Sequence, residues 1–209
     1  MNPKLQIGQS ATAIVMQTYR LFIAIEISPA ARAELAAVQQ RLQRADVPAK
    51  WAATDTLHLT LHFLGETDTA IVARLKPALQ AAVAEYPQIG LCLDGIGAFP
   101  NARRPGVVWA GVGGDLSALG RLQSALGAAL EALGLPREQR PFRPHLTLGR
   151  VRREAGPAQI ERLGEAILAQ APPAPLAWQI ERVVLFRSQL EPAGPVYTAV
   201  YDWRLAIGD

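Results

Sequence analysis

A mixed fold of strands and helices, built from two similar halves, is predicted by two observations on this 209-residue chain. The tetrapeptide His-Leu-Thr-Leu occurs twice, at 58–61 and 145–148. The two histidines that begin these copies are two of only three in the chain. The elements around each copy recur at the same spacing of 87 residues, which also separates the helix caps predicted at Ser28 and Asp115. Because a chance tetrapeptide match would not bring its flanking elements along, the sequence indicates an internal duplication.

Each half is expected to follow the order strand, helix, strand, helix, strand. Alternating apolar residues predict strands at about 20–27, 57–64, 91–99, 107–112, 145–151, 180–186 and 196–205. Alanine-rich amphipathic stretches predict helices that begin at Ser28-Pro29, at Thr67 or Asp68, at Asp115 and near Pro157, the third ending at Gly134. We expect residues 1–18 to form a flexible N-terminal extension, and 19–209 to form one domain with repeats at about 20–99 and 106–188.

Composition narrows the functional classes. The net charge is +3, and no apolar run approaches the roughly 20 residues that span a bilayer, so no membrane association is expected. The single cysteine, Cys92, rules out an intramolecular disulfide and favours a cytoplasmic location. Arginines crowd the second motif, which favours a phosphate-bearing partner, although a solvated arginine face explains them equally well: Arg137, Arg140, Arg143, Arg150, Arg152 and Arg153. Nothing in the sequence indicates an obligate protein partner.

Strand geometry predicts that each motif presents its polar residues on one side, because residues i and i+2 of a strand share a face. In the first run, one face is apolar and holds Leu57, Leu59, Leu61 and Phe63. The other face is polar and holds Thr56, His58, Thr60 and His62. In the second run the leucines point inward, while the opposite face holds His145, Thr147 and, if the strand extends through Pro144, Arg143. If the halves meet around a two-fold axis, both polar faces converge on one cleft.

Two imidazoles and two hydroxyls suit a reaction at a phosphorus centre. One imidazole would remove a proton from incoming water while the other protonates the departing sugar oxygen. The threonine hydroxyls and Arg143 would bind the non-bridging oxygens as charge develops there. Since the two rings must begin in opposite protonation states, a bell-shaped pH dependence is expected.

Other interpretations of the histidines are a pair of satisfied core residues and a metal site made of His58, His62 and His145. Duplication of the motif argues against the first. On a strand, positions 58 and 62 are about 13 Å apart, too far to chelate one ion, so we expect no metal and place His62 at the cleft edge. The chain has no Gly-x-Ser-x-Gly or Walker-type sequence, and no cofactor is expected.

These motifs resemble the two-histidine (2H) phosphoesterase superfamily, and within it the RNA 2′,3′-cyclic phosphodiesterases, LigT-like and ThpR-like proteins also known as 2′-5′ RNA ligases. The resemblance rests on residues 20–25, 57–66 and 142–150, with weaker agreement at 95–100 and 185–190. It implies a bilobal α+β fold in which two antiparallel sheets with outer helices enclose a central cleft, related by a pseudo-two-fold repeat. One lobe of that fold carries both chain termini, so lobes need not coincide with sequence repeats.

The resemblance also implies roles. His58 would be the proton donor to the leaving oxygen, His145 the proton acceptor that activates water, and Thr60 and Thr147 the phosphate-binding hydroxyls. The implied reaction opens the 2′,3′-cyclic phosphate of an RNA or nucleotide end to a 2′-phosphate, and its reverse joins ends through a 2′-5′ bond. Which ring is acid and which is base depends on how the substrate is oriented.

Two alternatives stay open for the function and two for Phe22. The chain could cleave a 2′-5′ linkage in short oligonucleotides, or it could bind nucleotides or RNA without turnover. Retention of both histidines and both threonines argues against a binding module, which needs no acid–base pair. Phe22, on the more polar face of the first strand, would either stack a nucleobase or pack between the lobes.

Overall fold

The computed structural model describes residues 17–136, 138, 140–192 and 194–207. Within them the strands are β1 (Thr18–Glu26), β2 (Ala49–Trp51), β3 (His58–Asp68), β4 (Ile89–Phe99), β5 (Val107–Gly114), β6 (His145–Val151), β7 (Ala177–Ile180), β8 (Arg182–Glu191) and β9 (Gly194–Arg204). The α-helices are α1 (Pro29–Gln43), α2 (Ile71–Val83), α3 (Leu116–Ala132) and α4 (Pro157–Leu168), and a single 3₁₀ turn covers Thr54–Thr56.

The strands form two antiparallel four-stranded sheets that touch along one residue pair. The strand order is β7-β4-β5-β6-β3-β1-β8-β9, with β2 added to the free part of β6. We call β3-β1-β8-β9 lobe 1 and β6-β5-β4-β7 lobe 2; they are joined where Leu59 of β3 pairs with Leu146 of β6. The predicted fold class is confirmed, with the difference that the two sheets are continuous at this point.

Each lobe contains strands from both sequence repeats. Strand β4 belongs to the first repeat but pairs with β5 in lobe 2, while β8 belongs to the second repeat but pairs with β1 in lobe 1. The exchange is reciprocal, since each lobe receives one strand from the other repeat: Phe186 of β8 lies opposite Phe22, and Phe99 of β4 lies opposite Val107. As the resemblance implied, lobe 1 contains both the first strand and the last.

The helix ends follow the local sequence. The Ser28 hydroxyl accepts a hydrogen bond from the Ala31 amide at 3.2 Å, and the Asp115 carboxylate accepts one from Ala118 at 2.8 Å, so both predicted caps are confirmed. Gly134 ends α3 with a φ of +81°, a left-handed conformation that favours glycine. The helices cover the apolar faces of both sheets, and one core contains the leucines of both motifs.

Some boundaries differ from prediction. Helix α2 begins at Ile71, because Thr67 and Asp68 are still part of β3. The Asp68 carboxylate accepts a hydrogen bond from the Ala70 amide at 2.9 Å, in the turn that precedes the helix. The strand predicted at 180–186 is two strands, broken at Glu181, and the short β2 was not predicted. Of the expected extension, residues 1–16 lie outside the described residues. No helix in the described part of the chain is long and apolar enough to cross a membrane.

Candidate active site

The two His-Leu-Thr-Leu motifs occupy equivalent places in β3 and β6, and each contains a β-bulge at its last leucine. In lobe 1, Ala24 pairs with Thr60 and Ile23 with His62, so that Leu61 is the extra residue. In lobe 2 the same shift occurs at Leu148. A bulge leaves one residue unpaired and bends its strand. The predicted alternation therefore holds before each bulge and changes after it.

Pairing of the two lobes brings the four predicted residues together. Leu59 and Leu146 lie opposite each other with no exposed surface, so their sequence neighbours point to the other side of the sheet. In this antiparallel register His58 lies toward Thr147, and Thr60 toward His145. Directly opposite residues in such a pair have Cα atoms about 4.5–5.5 Å apart. The predicted convergence of two histidines and two threonines is thus achieved by direct strand contact.

Both imidazoles are held by the same local hydrogen bond. Nδ1 of His58 lies 2.7 Å from the Thr56 carbonyl oxygen, and Nδ1 of His145 lies 2.7 Å from the Arg143 carbonyl oxygen. A carbonyl can only accept, so in each ring Nδ1 carries the proton and donates it. This leaves Nε2 of each ring for another partner and fixes which nitrogen can exchange a proton.

The surroundings of the two rings differ. His58 lies against the rings of Phe22, Tyr197 and Phe186, with centroid distances of 4.9, 5.2 and 6.4 Å. Burial lowers the pKa of His58 below its usual value, the nearby charge of Arg32 acts in the same direction, and the bond to Thr56 opposes them. His145 instead meets the edge of Phe99 at 5.1 Å. In the free protein these surroundings therefore favour the neutral form of His58.

The phosphate-binding candidates are open to a ligand. Thr60 and Thr147 are half-buried, and their hydroxyls make no hydrogen bond to any described residue. Arg143 is exposed and precedes β6, which begins at His145, so it does not share the strand face as predicted. Its carbonyl orients His145, while its guanidinium forms no ion pair among the residues described.

The residues just after the first bulge face the opposite way from the sequence prediction. His62 is 5% exposed and its Nε2 lies 2.7 Å from the Gln123 carbonyl oxygen in α3, so the cleft-edge position predicted for it is wrong. Phe63, predicted on the apolar face, is 65% exposed and lies 6.2 Å from the ring of Phe22. The bulge at Leu61 explains both changes, because it shifts the alternation of the residues that follow it. Within the described ranges, no group of three or more potential ligand side chains could hold a metal ion.

Aromatic residues and two arginines complete the cleft. Phe22 is only 3% exposed and stacks on Phe186 at 5.3 Å, so it supports the His58 ring from within lobe 1. Burial raises the pKa of the Tyr197 phenol, and the charges of Arg150 and Arg20 oppose this effect, which places a cation from each lobe near that ring. The contributions of Phe63, Phe186 and Tyr197 were not predicted. The 87-residue spacing of Phe99 and Phe186 was the one signal that could have indicated the aromatic contact to each histidine.

Comparisons with known proteins identify relatives of this chain by sequence and by fold. The RNA 2′,3′-cyclic phosphodiesterase of Methanothermobacter thermautotrophicus is 32% identical over 186 residues, covering 89% of this chain and 98% of that protein. The solved structure of TT0787 from Thermus thermophilus matches with a TM-score of 0.72 at 31% identity, over 89% of this chain and 97% of that one. LigT of E. coli, solved in complex with 3′-AMP, matches with a TM-score of 0.72 at 25% identity, over 90% and 99%.

A family model covers most of the described chain. The model of the 2′-5′ RNA ligase superfamily matches residues 29–191, a range that includes both motifs. The resemblance stated from the motifs is confirmed, and the chain belongs to the 2′-5′ RNA ligase superfamily.

Proposed function

We propose that this protein hydrolyses the 2′,3′-cyclic phosphate at the end of an RNA or nucleotide to a 2′-phosphate. The observation that carries the proposal is the pairing of Leu59 with Leu146, which puts both histidines and both threonines on the other side of the sheet. Nδ1 of each ring is held by a backbone carbonyl, which leaves Nε2 for the substrate. The activity named for the relatives, such as that of M. thermautotrophicus, supports the same reaction.

In the proposed reaction the cyclic phosphate lies between the two rings. Nε2 of His145 takes a proton from water as its oxygen attacks phosphorus. The bond from phosphorus to the 3′ oxygen breaks, and Nε2–H of His58 gives its proton to that oxygen, which leaves a 2′-phosphate and a 3′ hydroxyl. The hydroxyls of Thr60 and Thr147 donate to the non-bridging oxygens, and Arg143 adds a charge-assisted bond.

The donor role requires His58 to be charged when substrate is bound. In the free protein burial lowers the pKa of His58. A cyclic phosphate carries one negative charge, and an anion in contact with an imidazole favours its charged form. Binding of substrate therefore supplies the protonated ring that the leaving oxygen needs.

We propose that the same site works without a metal and also has 2′-5′ RNA ligase activity. The imidazoles move both protons, and Arg143 with the two threonines supplies the charge stabilisation that an ion would otherwise give. The third histidine, His62, is hydrogen-bonded to α3 and does not join them. When a 5′ hydroxyl takes the place of water as the nucleophile, the same displacement breaks the bond from phosphorus to the 3′ oxygen and forms a 2′-5′ bond.

RNA is the proposed partner because the cleft combines exposed aromatic surface with arginines. Phe63, rather than the buried Phe22, offers a face to a nucleobase. Arg150, with Arg152 and Arg153 beyond it, would follow the phosphate backbone, and all three are exposed. The single cysteine supports a cytoplasmic site of action.

The test incubates the protein with 2′,3′-cyclic AMP and with a short RNA bearing a cyclic end, with and without EDTA. The expected product is the 2′-phosphate alone, formed equally with the chelator. His58→Ala and His145→Ala should each lower kcat by roughly 10²–10⁴-fold. His62→Gln, which keeps a donor for the Gln123 carbonyl, should retain activity and serves as the matched control.

Other outcomes identify the rival functions. Cleavage of a 2′-5′-linked dinucleotide without action on cyclic ends would indicate a 2′-5′ phosphodiesterase. Binding without turnover would indicate a nucleotide-binding module, and loss of turnover in EDTA would contradict metal independence. Most of the activity surviving in either His58→Ala or His145→Ala would contradict the two-proton mechanism.

A further inference from the structure

Arg32 of α1 holds the turn that leads into the first motif. Its Nη1 donates to the Thr54 carbonyl at 2.6 Å and, more weakly, to the Leu57 carbonyl at 3.4 Å. These two carbonyls lie at the two ends of the 3₁₀ turn that directly precedes His58. Arg32 thus joins the first turn of α1 to the start of β3.

The same turn orients the imidazole of His58. The Thr56 carbonyl, between the two that Arg32 binds, accepts the Nδ1–H of His58 at 2.7 Å. The guanidinium thus binds two carbonyls of the turn, and the imidazole binds a third. A shift of the turn would therefore move Nδ1, and with it the direction of Nε2.

Stability of α1 does not explain an arginine at this position. Residue 32 makes the first backbone hydrogen bond of the helix, to Ser28, and a cation in the first turn is disfavoured by the helix dipole. Arg32 is half-buried and forms no ion pair with a carboxylate in the described part of the chain. The position 87 residues later is Leu119, which is fully buried in α3, so this position gives the second motif no corresponding cation.

Other charged or titratable groups near His58 do not cancel this charge. Glu26 of β1 lies opposite His58, but its carboxylate is held by the Arg182 guanidinium of β8 at 2.5 and 3.1 Å. Tyr197 of β9 has a raised pKa and stays uncharged. Asp55, within the 3₁₀ turn, is exposed to solvent. Arg32 therefore remains the neighbouring charge that, with burial, lowers the pKa of His58.

We propose that Arg32 is the positioning residue of His58: it fixes the 54–57 turn that orients the imidazole and places a permanent positive charge beside it. The inference rests on the proposed function, in which Nε2 of His58 exchanges a proton with the substrate. It also gives the pseudo-symmetric site a built-in difference between its two histidines, since the second repeat has leucine at the equivalent position.

The first test is an NMR titration of the His58 ring in the free protein. Three variants separate the two effects: Arg32→Lys keeps the charge, Arg32→Gln keeps donors for the carbonyls, and Arg32→Met keeps neither. The pKa of His58 should rise in the Gln and Met variants and stay close to wild type in Arg32→Lys. Arg41→Met, on the same helix but bonded to Gln170, is the matched control and should leave His58 unchanged.

The second test is the pH dependence of kcat/KM on 2′,3′-cyclic AMP. One limb of the profile should move to higher pH in Arg32→Gln, and the limb that moves identifies His58 as acid or base. Arg32→Met, which also frees the turn, should lose roughly 10- to 100-fold in kcat, with KM changed much less. Arg32→Lys should recover part of that loss.

An unchanged pKa of His58 in both Arg32→Gln and Arg32→Met would overturn the proposal. A kcat equal to wild type in Arg32→Met would overturn it as well. If one variant fails to fold, the other still decides the question. Because the titration needs no substrate, it separates failure of this inference from failure of the proposed function, which would show as absent turnover in the wild-type protein.

Discussion

Replacing Gln39 by methionine should destabilise the junction of the two lobes and impair the second motif. Gln39 of α1 is 3% exposed, and its Nε2 donates to the Ala52 carbonyl at 2.9 Å and the Leu148 carbonyl at 2.8 Å. Leu148 is the bulged residue that follows Thr147. The side chain therefore ties the segment after β2 to the bulge at the place where β6 exchanges one neighbouring strand for another.

The loss of stability in Gln39→Met depends on which of the two carbonyls is left without a hydrogen-bond donor. The Leu148 carbonyl keeps the Ala52 amide at 2.8 Å, whereas the Ala52 carbonyl loses the hydrogen bond that Gln39 supplies. A fully buried acceptor without a partner costs about 1–3 kcal/mol, and the partly buried Ala52 carbonyl lies at the lower end of that range. Methionine fills a similar volume, so little cavity term is added. At roughly 2–4 °C per kcal/mol for a protein of this size, we expect Tm to fall by about 2–4 °C for a cost near 1 kcal/mol.

The assay combines thermal unfolding with kcat on 2′,3′-cyclic AMP at 25 °C. Gln40→Met, at the exposed neighbouring position of the same helix, is the control and should change stability by less than about 0.5 kcal/mol. In Gln39→Met kcat should decrease as well, because the bulge that directs Thr147 and His145 loses a support. Equal stability and equal kcat in the two methionine variants would refute the argument.

Three further predictions concern the cleft. Phe63→Ala should raise KM for a nucleotide substrate by roughly 5- to 100-fold through lost stacking. Leu168→Ala, which removes a similarly exposed side chain outside the cleft, should leave KM unchanged, and equal KM values in the two variants would contradict the stacking role. Thr60→Val and Thr147→Val should keep the fold by circular dichroism but lower kcat by about 10²-fold, and unchanged kcat would exclude phosphate contacts. The lowered pKa of His58 means that the unfolded chain takes up its proton first, so stability should be lost as pH falls below about 6.5. Between pH 7 and 5, the Tm of His58→Gln should fall less than the Tm of the wild-type protein. An equal fall in both proteins would argue against a lowered pKa of His58.

Features set by short stretches of sequence could be predicted. The caps at Ser28 and Asp115 depend on side chains three residues from the amides they bind. The shared face of His58 and Thr60 depends on alternation along one strand, and the duplication made the second motif equivalent.

Features that depend on distant pairing could not be predicted. Nothing in the sequence around Leu61 marks it as a bulge, because a bulged residue is defined by the pairing of β3 with the distant strand β1. The exchange of β4 and β8 between lobes brings Phe186 and Tyr197 beside His58 from more than 120 residues away. The hold of Arg32 on the 54–57 turn is likewise a tertiary contact, invisible in the helical pattern of α1.

The central claim is that two imidazoles act as an acid–base pair on one phosphate, and the pH dependence of kcat/KM tests it most directly. The measurement uses an RNA with a 2′,3′-cyclic end and compares the wild-type protein with His58→Ala and His145→Ala. A bell-shaped profile for the wild type, with one limb lost in each variant, is predicted. A wild-type profile with a single limb, or a variant that keeps both limbs, would contradict the claim.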